Sequence, residues 1–402
     1  MLKNLINLVT QFRISSRMAN HPLHNFLLFA SIFGSSIASI NQCGNKLLES
    51  CVCGKQYIHR TSHSKFVVNC TNTGFTDTEM LKVLPEQTNI LIFTGNHLNL
   101  LPINIFGENP YLSELEVIDM SNNGIREIKG KTFHHVTNVE RLILNHNNIS
   151  ISEEDDKNFH HPRVFSNFQN LEELHLTNAF ADNTDAELAD DLHDIFVNSN
   201  LAKLYKLHLE QNEIKSWKDD KVFCDLPNLH DLYLGDNKIP NLNFNVLCLQ
   251  KLRYLDLEYN NISKFSQTDL DVFDKMANDP ARTEPLLLEI GHNPLKCDSA
   301  ARNLYSWSQK TSVKIRNEDQ LECTNAKYGK RYIVNLRSLV ESKETKLSNG
   351  LTVLLVVLVC VLLTLISAYV YLKKDTIRSK LPSVFDAVSR KVQYSTIESQ
   401  DI

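Results

Sequence analysis

A short apolar pattern that recurs over most of the chain limits what this sequence can fold into. Its consensus is L-x-x-L-x-L-x-x-N-x-L, in which an asparagine follows three leucine-type positions at fixed spacing. Because one such unit cannot bury its own apolar side chains, the units must stack against one another as successive coils. The three most regular copies are Leu204-Leu207-Leu209-Asn212-Ile214, Leu229-Leu232-Leu234-Asn237-Ile239 and Leu252-Leu255-Leu257-Asn260-Ile262.

Further copies lie on both sides of these three. One of them, Leu171-Leu174-Leu176, is irregular because Ala179 stands at the asparagine position. The pattern resembles the signature of leucine-rich-repeat proteins, and the resemblance implies an α/β solenoid, a curved horseshoe with about eight repeats over residues 86–296. The leucines would point inward from short parallel strands, and the asparagines would stack as a ladder. The other copies are Leu91-Phe93-Asn96-Leu98, Leu115-Ile118-Met120-Asn123-Ile125, Val139-Leu142-Leu144-Asn147-Ile149 and Leu288-Ile290-Asn293-Leu295.

Four cysteines directly before the first repeat have the spacing Cys43-x7-Cys51-x-Cys53-x16-Cys70. This spacing closely resembles the N-terminal cysteine cap of extracellular leucine-rich-repeat proteins, and it places a cap over residues 43–85. Four cysteines can pair in three ways, and the sequence alone does not choose between them. The resemblance implies that the first cysteine pairs with the third and the second with the fourth, as Cys43–Cys53 and Cys51–Cys70.

The segment after the last repeat resembles the C-terminal cap of the same family, over residues 297–340. It contains Cys297, Trp307 and Cys323, but Ser299 stands where the family has its second cysteine, and the fourth cysteine is also missing. The two missing cysteines are partners in the family. The resemblance therefore implies one remaining disulfide, Cys297–Cys323.

Two more cysteines occupy nearly equivalent places in consecutive repeats. Cys224 precedes Leu229 and Cys248 precedes Leu252, so the spacing to the next strand differs by one residue. They could bridge adjacent coils, or both could stay buried and reduced. The sequence leaves both interpretations open.

Two hydrophobic segments predict how the chain is placed in the cell. Residues 351–372 contain 22 residues without a charge, which is enough for a membrane-spanning helix. Basic residues follow this segment, and the positive-inside bias then places residues 373–402 in the cytoplasm as a tail and the N-terminal region outside. Residues 1–38 are predicted to be a signal peptide, with Met18 as a possible true start. Residues 341–350 would form a juxtamembrane stalk of a single-pass type I plasma-membrane protein.

The net charge of -5 is unevenly distributed along the chain. The tail is basic, and the exported portion after the signal peptide carries about -10. An acidic surface disfavours nucleic acid as a partner and suits a basic ligand better.

Residues between the repeat leucines project from the concave sheet and can be aligned in columns. Later repeats place tyrosines among acidic residues there, a composition typical of protein interfaces, although an ordinary solvated sheet face is the alternative. The middle column is predicted to run through Ile92, Asp119, Ile143, His175, His208, Tyr233, Asp256 and Glu289. The predicted ligand-binding face comprises His208, Tyr233, Tyr254, Asp256, Tyr259 and Glu289.

His175 and His208 share the middle column, so a metal or pH-sensitive cluster is conceivable there. The favoured interpretation is an ordinary histidine pair, and we predict no metal site and no cofactor. The acidic segment between Phe180 and Asn200 has apolar residues at helical spacing, which predicts an amphipathic helix on the convex side.

Short motifs predict modification and sorting. Asn69, Asn148 and Asn261 begin N-glycosylation sequons. Tyr394 and Ile397 fit the tyrosine-x-x-hydrophobic pattern of endocytic sorting signals, a pattern that is common by chance.

These features predict a function in recognition rather than catalysis. The sequence contains no G-x-S-x-G, no H-E-x-x-H and no glycine-rich phosphate loop, so we predict that the protein is not an enzyme. We expect a cell-surface receptor or adhesion protein that binds a protein ligand on its concave face and acts through co-receptors, because the tail is too short for a signalling domain. One alternative is an auxiliary subunit that modulates a membrane channel or receptor. A second is a shed extracellular matrix or decoy binder.

Overall fold

The computed structural model describes residues 43–58, 63–107, 112–150, 164–181, 185–327 and 330–374. The predicted signal peptide with Met18 and the tail motif of Tyr394 and Ile397 lie outside the described residues. In the described part, each repeat contributes one strand to a single sheet, and the solenoid predicted from the repeat pattern is confirmed.

The main sheet has eleven strands, of which β1 and β2 pair antiparallel and all the others pair parallel. The eight strands β3, β5 and β7 to β12 each carry one copy of the repeat pattern. In order across the sheet, the strands are β1 (Val52–Tyr57), β2 (Ser64–Asn69), β3 (Ile90–Ile92), β5 (Val117–Asp119), β7 (Arg141–Ile143), β8 (Glu173–His175), β9 (Lys206–His208), β10 (Asp231–Tyr233), β11 (Tyr254–Asp256), β12 (Leu287–Glu289) and β13 (Lys314–Ile315).

The other elements connect or close the repeats. A small parallel sheet pairs β4 (Leu100–Leu101) with β6 (Glu127–Ile128), and an antiparallel hairpin pairs β14 (Glu322–Lys327) with β15 (Lys330–Asn335). The helix predicted between Phe180 and Asn200 is present as α1. The α-helices are α1 (Asp185–Phe196), α2 (Gln267–Ala277), α3 (Ser299–Ser308) and α4 (Leu336–Leu372), and the 3-10 helices are Lys46–Leu48, Glu79–Val83, Val246–Cys248 and Glu318–Gln320.

The central residue of each repeat strand is a leucine, or Ile118 in β5, and points into the solenoid. Leu207, Leu232 and Leu255 lie in register on neighbouring strands, and all three are completely buried. Burying one leucine side chain contributes about 1.5–3 kcal/mol. Most of this apolar contact is made between adjacent coils, so each repeat depends on its neighbours for stability.

Asparagine side chains join the backbones of adjacent coils, as the ladder predicted from the repeat pattern requires. The Asn212 amide donates to the carbonyls of Leu176 (2.8 Å) and Leu209 (2.9 Å), and its oxygen accepts from the Ala179 amide (2.8 Å). Ala179 occupies the ladder position of the irregular repeat and is fully buried. Asn212 therefore joins its own coil to the coil of the irregular repeat, although that repeat has no ladder asparagine.

Four disulfides close the described structure. Cys43–Cys53 and Cys51–Cys70 staple the N-terminal cap, and Cys297–Cys323 staples the C-terminal cap; these are the pairs that the family resemblance implies. The fourth, Cys224–Cys248, bridges consecutive coils. Of the two interpretations that the sequence left open for this pair, the structure has the bridged one.

Helix α4 begins at Leu336 and runs without interruption through residues 341–350, the predicted juxtamembrane stalk, to Leu372. Its first residues pack on the C-terminal cap, since Leu336 is buried in the core and Leu339 packs against it. The boundaries of the cap and the stalk stay predictions. The Asn335 side chain caps this helix by accepting from the Arg337 amide at 2.9 Å. Of the described residues, Thr352–Leu372 form the one helical segment long and apolar enough to cross a membrane.

Candidate ligand-binding face

Strand register fixes which side chains are neighbours on the open side of the sheet. The middle column has the composition predicted from the sequence: Ile92, Asp119, Ile143, His175, His208, Tyr233, Asp256 and Glu289 are paired from strand to strand. A second column runs beside it through Ile90, Val117, Arg141, Glu173, Lys206, Asp231, Tyr254 and Leu287. The first three repeats are therefore mainly aliphatic on this face, whereas the later ones are aromatic and charged.

Aromatic rings form a continuous stack across four of the later strands. The rings of His175 and His208 stack with centroids 4.2 Å apart, and those of His208 and Tyr233 stack at 4.1 Å. Tyr233 then contacts Tyr254 at 5.0 Å, with the ring planes tilted by 56°. Each ring is partly exposed, and its neighbours restrict its rotation. The stack thus forms a conformationally restricted, half-exposed aromatic strip on the sheet.

Three carboxylates meet at the C-terminal end of this strip. Asp256, Glu258 and Glu289 each place an oxygen within 4.8 Å of the others. Glu289 accepts a hydrogen bond from the Tyr254 hydroxyl (2.5 Å) and forms an ion pair with Arg316 (3.0 Å). We call Asp256, Glu258 and Glu289 the carboxylate cluster.

Burial and mutual repulsion make this cluster hard to ionise fully. Burial, followed by the charges of Glu289 and Glu210, raises the pKa of Asp256 to about 7. Burial, followed by the charges of Glu289 and Asp256, raises the pKa of Glu258 to about 7. Burial also raises the pKa of Tyr254 above its usual range, so its hydroxyl stays protonated and donates. The cluster therefore changes its charge near neutral pH.

Glycines in the adjacent repeats leave room for the carboxylate cluster. A Cβ atom at Gly235 would lie 2.7 Å from Oδ2 of Asp256, and one at Gly291 would lie 3.3 Å from Oε1 of Glu258. The two glycines occupy the position in their repeats that Glu258 occupies in its own. Sequence reasoning missed Glu258, yet a glutamate between two glycines at equivalent repeat positions was a signal that could have found it.

Tyr259 lies at the turn that follows strand β11, one residue before the ladder asparagine. This position has a positive φ in every described repeat: 68° at Gly95, 55° at His146 and 53° at Tyr259, for example. A bulky side chain rarely adopts this conformation. Here the Tyr259 ring stacks on His292 of the next repeat, at 4.3 Å, and remains 42% exposed. The same stack holds the predicted face residue Tyr259 in place beside Glu258.

Two histidines that the sequence placed together lie side by side, and each is near a different carboxylate. His175 Nε2 lies 3.3 Å from Glu173, and His208 Nδ1 lies 2.8 Å from Glu210, while the two rings stack. Burial lowers the pKa of His175, which favours its neutral form. Each ring thus has its own carboxylate, and the absence of a metal site at this pair stays a prediction.

Glu173 anchors a second charged group on the face. Arg141 lies 2.7 Å and Lys206 3.6 Å from its carboxylate. Burial opposes ionisation of Glu173, but hydrogen bonds from His175 and Arg141 outweigh it and hold the pKa of Glu173 well below its usual range. These charges are neutralised within the face itself.

One predicted face residue is less accessible than the sequence suggested. Glu289 is only 6% exposed, because Tyr254 and Arg316 both bind its carboxylate and strand β13 adds beside β12. Glu289 therefore holds Tyr254 and Arg316 in place, and little of its own side chain is accessible to a partner. Tyr233, Tyr254, Asp256 and His208 are half-buried, and Tyr259 is the exposed member.

The three predicted glycosylation sites lie at different places relative to the face. Asn148 and Asn261 are exposed and follow the ladder asparagine, at turns beyond the strands. Asn69 pairs with Ile92 at the N-terminal end of the sheet, and its side-chain oxygen accepts from the amide and hydroxyl of Thr71. Glycosylation at all three sites stays a prediction.

Comparisons with known proteins agree with this architecture. A leucine rich repeat family model matches residues 202–262. Trophoblast glycoprotein of Macaca fascicularis is 25% identical over 275 residues, which cover 65% of this chain and 61% of the relative. Lumican of Mus musculus is 29% identical over 152 residues (37% of this chain, 39% of lumican), and Tsukushi of Gallus gallus is 26% identical over 212 residues (52% and 50%). The chain thus spans less than two thirds of the length of each of these relatives.

A solved structure resembles about two thirds of this chain. The crystal structure of human trophoblast glycoprotein superposes with a TM-score of 0.53 at 25% sequence identity, covering 64% of this chain and 87% of that one. Together, the matched repeat segment, the repeat sheet and the disulfide-bonded caps show a leucine-rich-repeat fold that is similar to that of trophoblast glycoprotein. Among the described residues, Thr352–Leu372 are long and apolar enough to span a membrane.

Proposed function

We propose that this protein acts at the cell surface as a receptor or adhesion protein, and that it binds a protein ligand on its concave face through the later repeats. The observation that carries this proposal is the stack of His175, His208, Tyr233 and Tyr254 across four strands. Aromatic side chains are enriched at the centres of protein interfaces, where they contribute much of the binding energy. Rings that already hold each other in place lose little freedom when a partner binds.

The apolar helix Thr352–Leu372 supports display of this face at a membrane. We propose a single-pass type I orientation, because the basic residues that follow the helix favour the cytoplasmic side. The protein would then act through membrane co-receptors. The related trophoblast glycoprotein and lumican lead us to propose an extracellular binder and no catalytic activity of its own.

The first step of the test is to screen cells that display the full-length chain against secreted and cell-surface proteins. Each partner found is then tested against a variant with Tyr233→Ala, Tyr254→Ala and Tyr259→Ala. The matched control replaces two aromatic residues of the caps, Tyr57→Ala and Tyr332→Ala, which are 87% and 51% exposed.

Loss of binding in the concave variant, with the control unchanged, is the expected result. Because truncation of a central interface tyrosine typically weakens binding by about 2 kcal/mol or more, the loss should be at least about 30-fold. Equal binding by both variants would contradict the use of this face. A protein whose activity survives these substitutions but not replacement of residues 351–372 would instead be an auxiliary subunit that works through its membrane segment.

A further inference from the structure

Some carboxylates of the concave face are neutralised by cationic side chains and others are not. The difference indicates which charge a partner would carry at this face. Glu173 is bound by Arg141 and Lys206. Asp231 is bound by Arg253 through two hydrogen bonds, of 2.8 and 3.1 Å. These two carboxylates are therefore balanced by cations of the protein itself.

The carboxylate cluster has fewer cationic side chains bound to it, relative to its three carboxylates, than Glu173 or Asp231 has. In this cluster Arg316 forms an ion pair with Glu289 at 3.0 Å, and His292 lies 3.5 Å from Glu258. Among the described residues, Asp256 forms no ion pair with a lysine or arginine; its Oδ1 accepts from the Glu258 amide at 2.9 Å. In the described part of the chain, Asp256 thus lies beside two other carboxylates without a lysine or arginine of its own, and bringing in another cation would relieve the repulsion.

Groups on neighbouring strands and turns also determine the electrostatic potential at the carboxylate cluster. The charge of Glu210, in the turn after β9, raises the pKa of Asp256, whereas that of Arg316, after β13, lowers it. Tyr233 on β10 lies next to Asp256 in register, and Tyr254 lies two residues before it on β11. Burial raises the pKa of Tyr233, so its ring carries no charge, and the face of an uncharged aromatic ring attracts a cation.

We propose that the protein partner presents a lysine or arginine side chain to this end of the concave face, where its charge lies against Asp256 of the carboxylate cluster and its stem against Tyr233 and Tyr259. This inference rests on the proposed function and names the chemistry that the face recognises. An arginine or lysine offers both a cation and an apolar stem, so it can use the rings and the carboxylates together. A hard metal ion would use the carboxylates alone.

The probe for this site is a capped tetra-arginine peptide. Binding is measured by calorimetry to the full-length protein in nanodiscs of zwitterionic lipid, which do not attract the peptide themselves. The double variant Asp256→Asn, Glu258→Gln removes the two carboxylates while preserving side-chain size. The control variant Asp271→Asn removes an exposed carboxylate of α2, outside the concave sheet.

We expect the double variant to bind the peptide at least about 10-fold more weakly than the wild type at pH 8, with the control within about twofold of it. The affinity of the unmodified protein for the peptide should fall several-fold between pH 8 and pH 5.5, because Asp256 and Glu258 take up protons over this range. Equal affinity in the double variant and the control, or affinity that does not change with pH, would overturn the proposal. So would displacement of the peptide by millimolar Ca²⁺ alone.

The outcome is separable from that of the proposed function. A protein partner whose binding needs Tyr233, Tyr254 and Tyr259 but tolerates loss of both carboxylates would overturn the cationic contact and leave the ligand-binding face intact.

Discussion

Replacing Asp256 by asparagine should stabilise the protein at alkaline pH, because it removes the negative charge of a half-buried side chain. The asparagine keeps the size of the side chain, and its carbonyl oxygen can still accept from the Glu258 amide, as Oδ1 of Asp256 does at 2.9 Å. Its amide nitrogen can also donate to the neighbouring carboxylates. The substitution therefore removes repulsion within the carboxylate cluster and keeps the local hydrogen bonding.

The magnitude follows from the pKa of Asp256, which rises from 3.8 to about 7 on folding. At about 1.36 kcal/mol per pKa unit, ionising this carboxylate in the folded state would disfavour folding by up to about 4 kcal/mol. Solvent reaches part of the side chain and screens its charge, so we expect a net gain of about 1–2 kcal/mol for Asp256→Asn at pH 8. This gain corresponds to a rise in melting temperature of about 2–6 °C.

The dependence on pH has a definite sign. The folded wild type binds a proton at Asp256 that the unfolded chain has already released between about pH 4 and pH 7, so wild-type stability falls as pH rises through this window. The advantage of the variant should therefore grow over the same window and be clearly larger at pH 8 than at pH 5. Differential scanning fluorimetry of the two proteins at both values measures it, with Asp271→Asn as the control for loss of an exposed carboxylate.

Two results would refute this reasoning. One is a lower melting temperature of Asp256→Asn at pH 8, which would mean that the carboxylate makes favourable contacts that outweigh its burial. The other is an equal gain at pH 5 and pH 8, which would show that the substitution acts through packing and not through ionisation.

Three further predictions concern the scaffold. Replacing both Cys224 and Cys248 by serine should lower stability by about 3 kcal/mol, since a loop of this length is freed in the unfolded state; peptide mapping without reduction should recover the two cysteines linked, and labelling of either thiol in the native protein would contradict the bridge. Asn212→Ala should cost about 2–4 kcal/mol in thermal or urea unfolding, because it leaves buried backbone groups of two coils unsatisfied; a loss below 1 kcal/mol would show that the ladder can be bypassed. Asn148→Gln and Asn261→Gln should each increase gel mobility by one glycan and leave ligand binding unchanged, and weaker binding would place a glycan at the interface.

The repeat architecture was predictable because its determinants are local and periodic. Each strand carries its own copy of the leucine pattern, so the alignment of copies also aligns the strands, and the columns with Tyr233 and Tyr254 follow directly. Cysteine spacing was equally informative at the N-terminal end. The register of a sheet is usually a long-range property, but in a solenoid it is repeated within every coil.

What the sequence did not yield depends on contacts between coils or on side-chain depth. The burial of Glu289 requires strand β13, which carries no copy of the pattern. The glycines at the equivalent positions of the adjacent repeats, Gly235 and Gly291, are a sequence signal for Glu258, but the closeness of its carboxylate to those of Asp256 and Glu289 depends on packing between coils. The hydrophobicity of residues 351–372 predicts the apolar span but does not indicate that helix α4 begins already at Leu336, because Asn349 and Gly350 before the span are poor helix formers.

Photo-crosslinking at two tyrosine positions tests most directly whether the concave face of the later repeats binds the partner. A benzophenone amino acid replaces either Tyr259, which is 42% exposed beside the carboxylate cluster, or Tyr57, which is 87% exposed on the N-terminal cap. Cells displaying each protein are irradiated in the presence of the partner found by the screen. We predict a covalent adduct from position 259 and none from position 57. An adduct from position 57 without one from position 259 would contradict the proposed binding face.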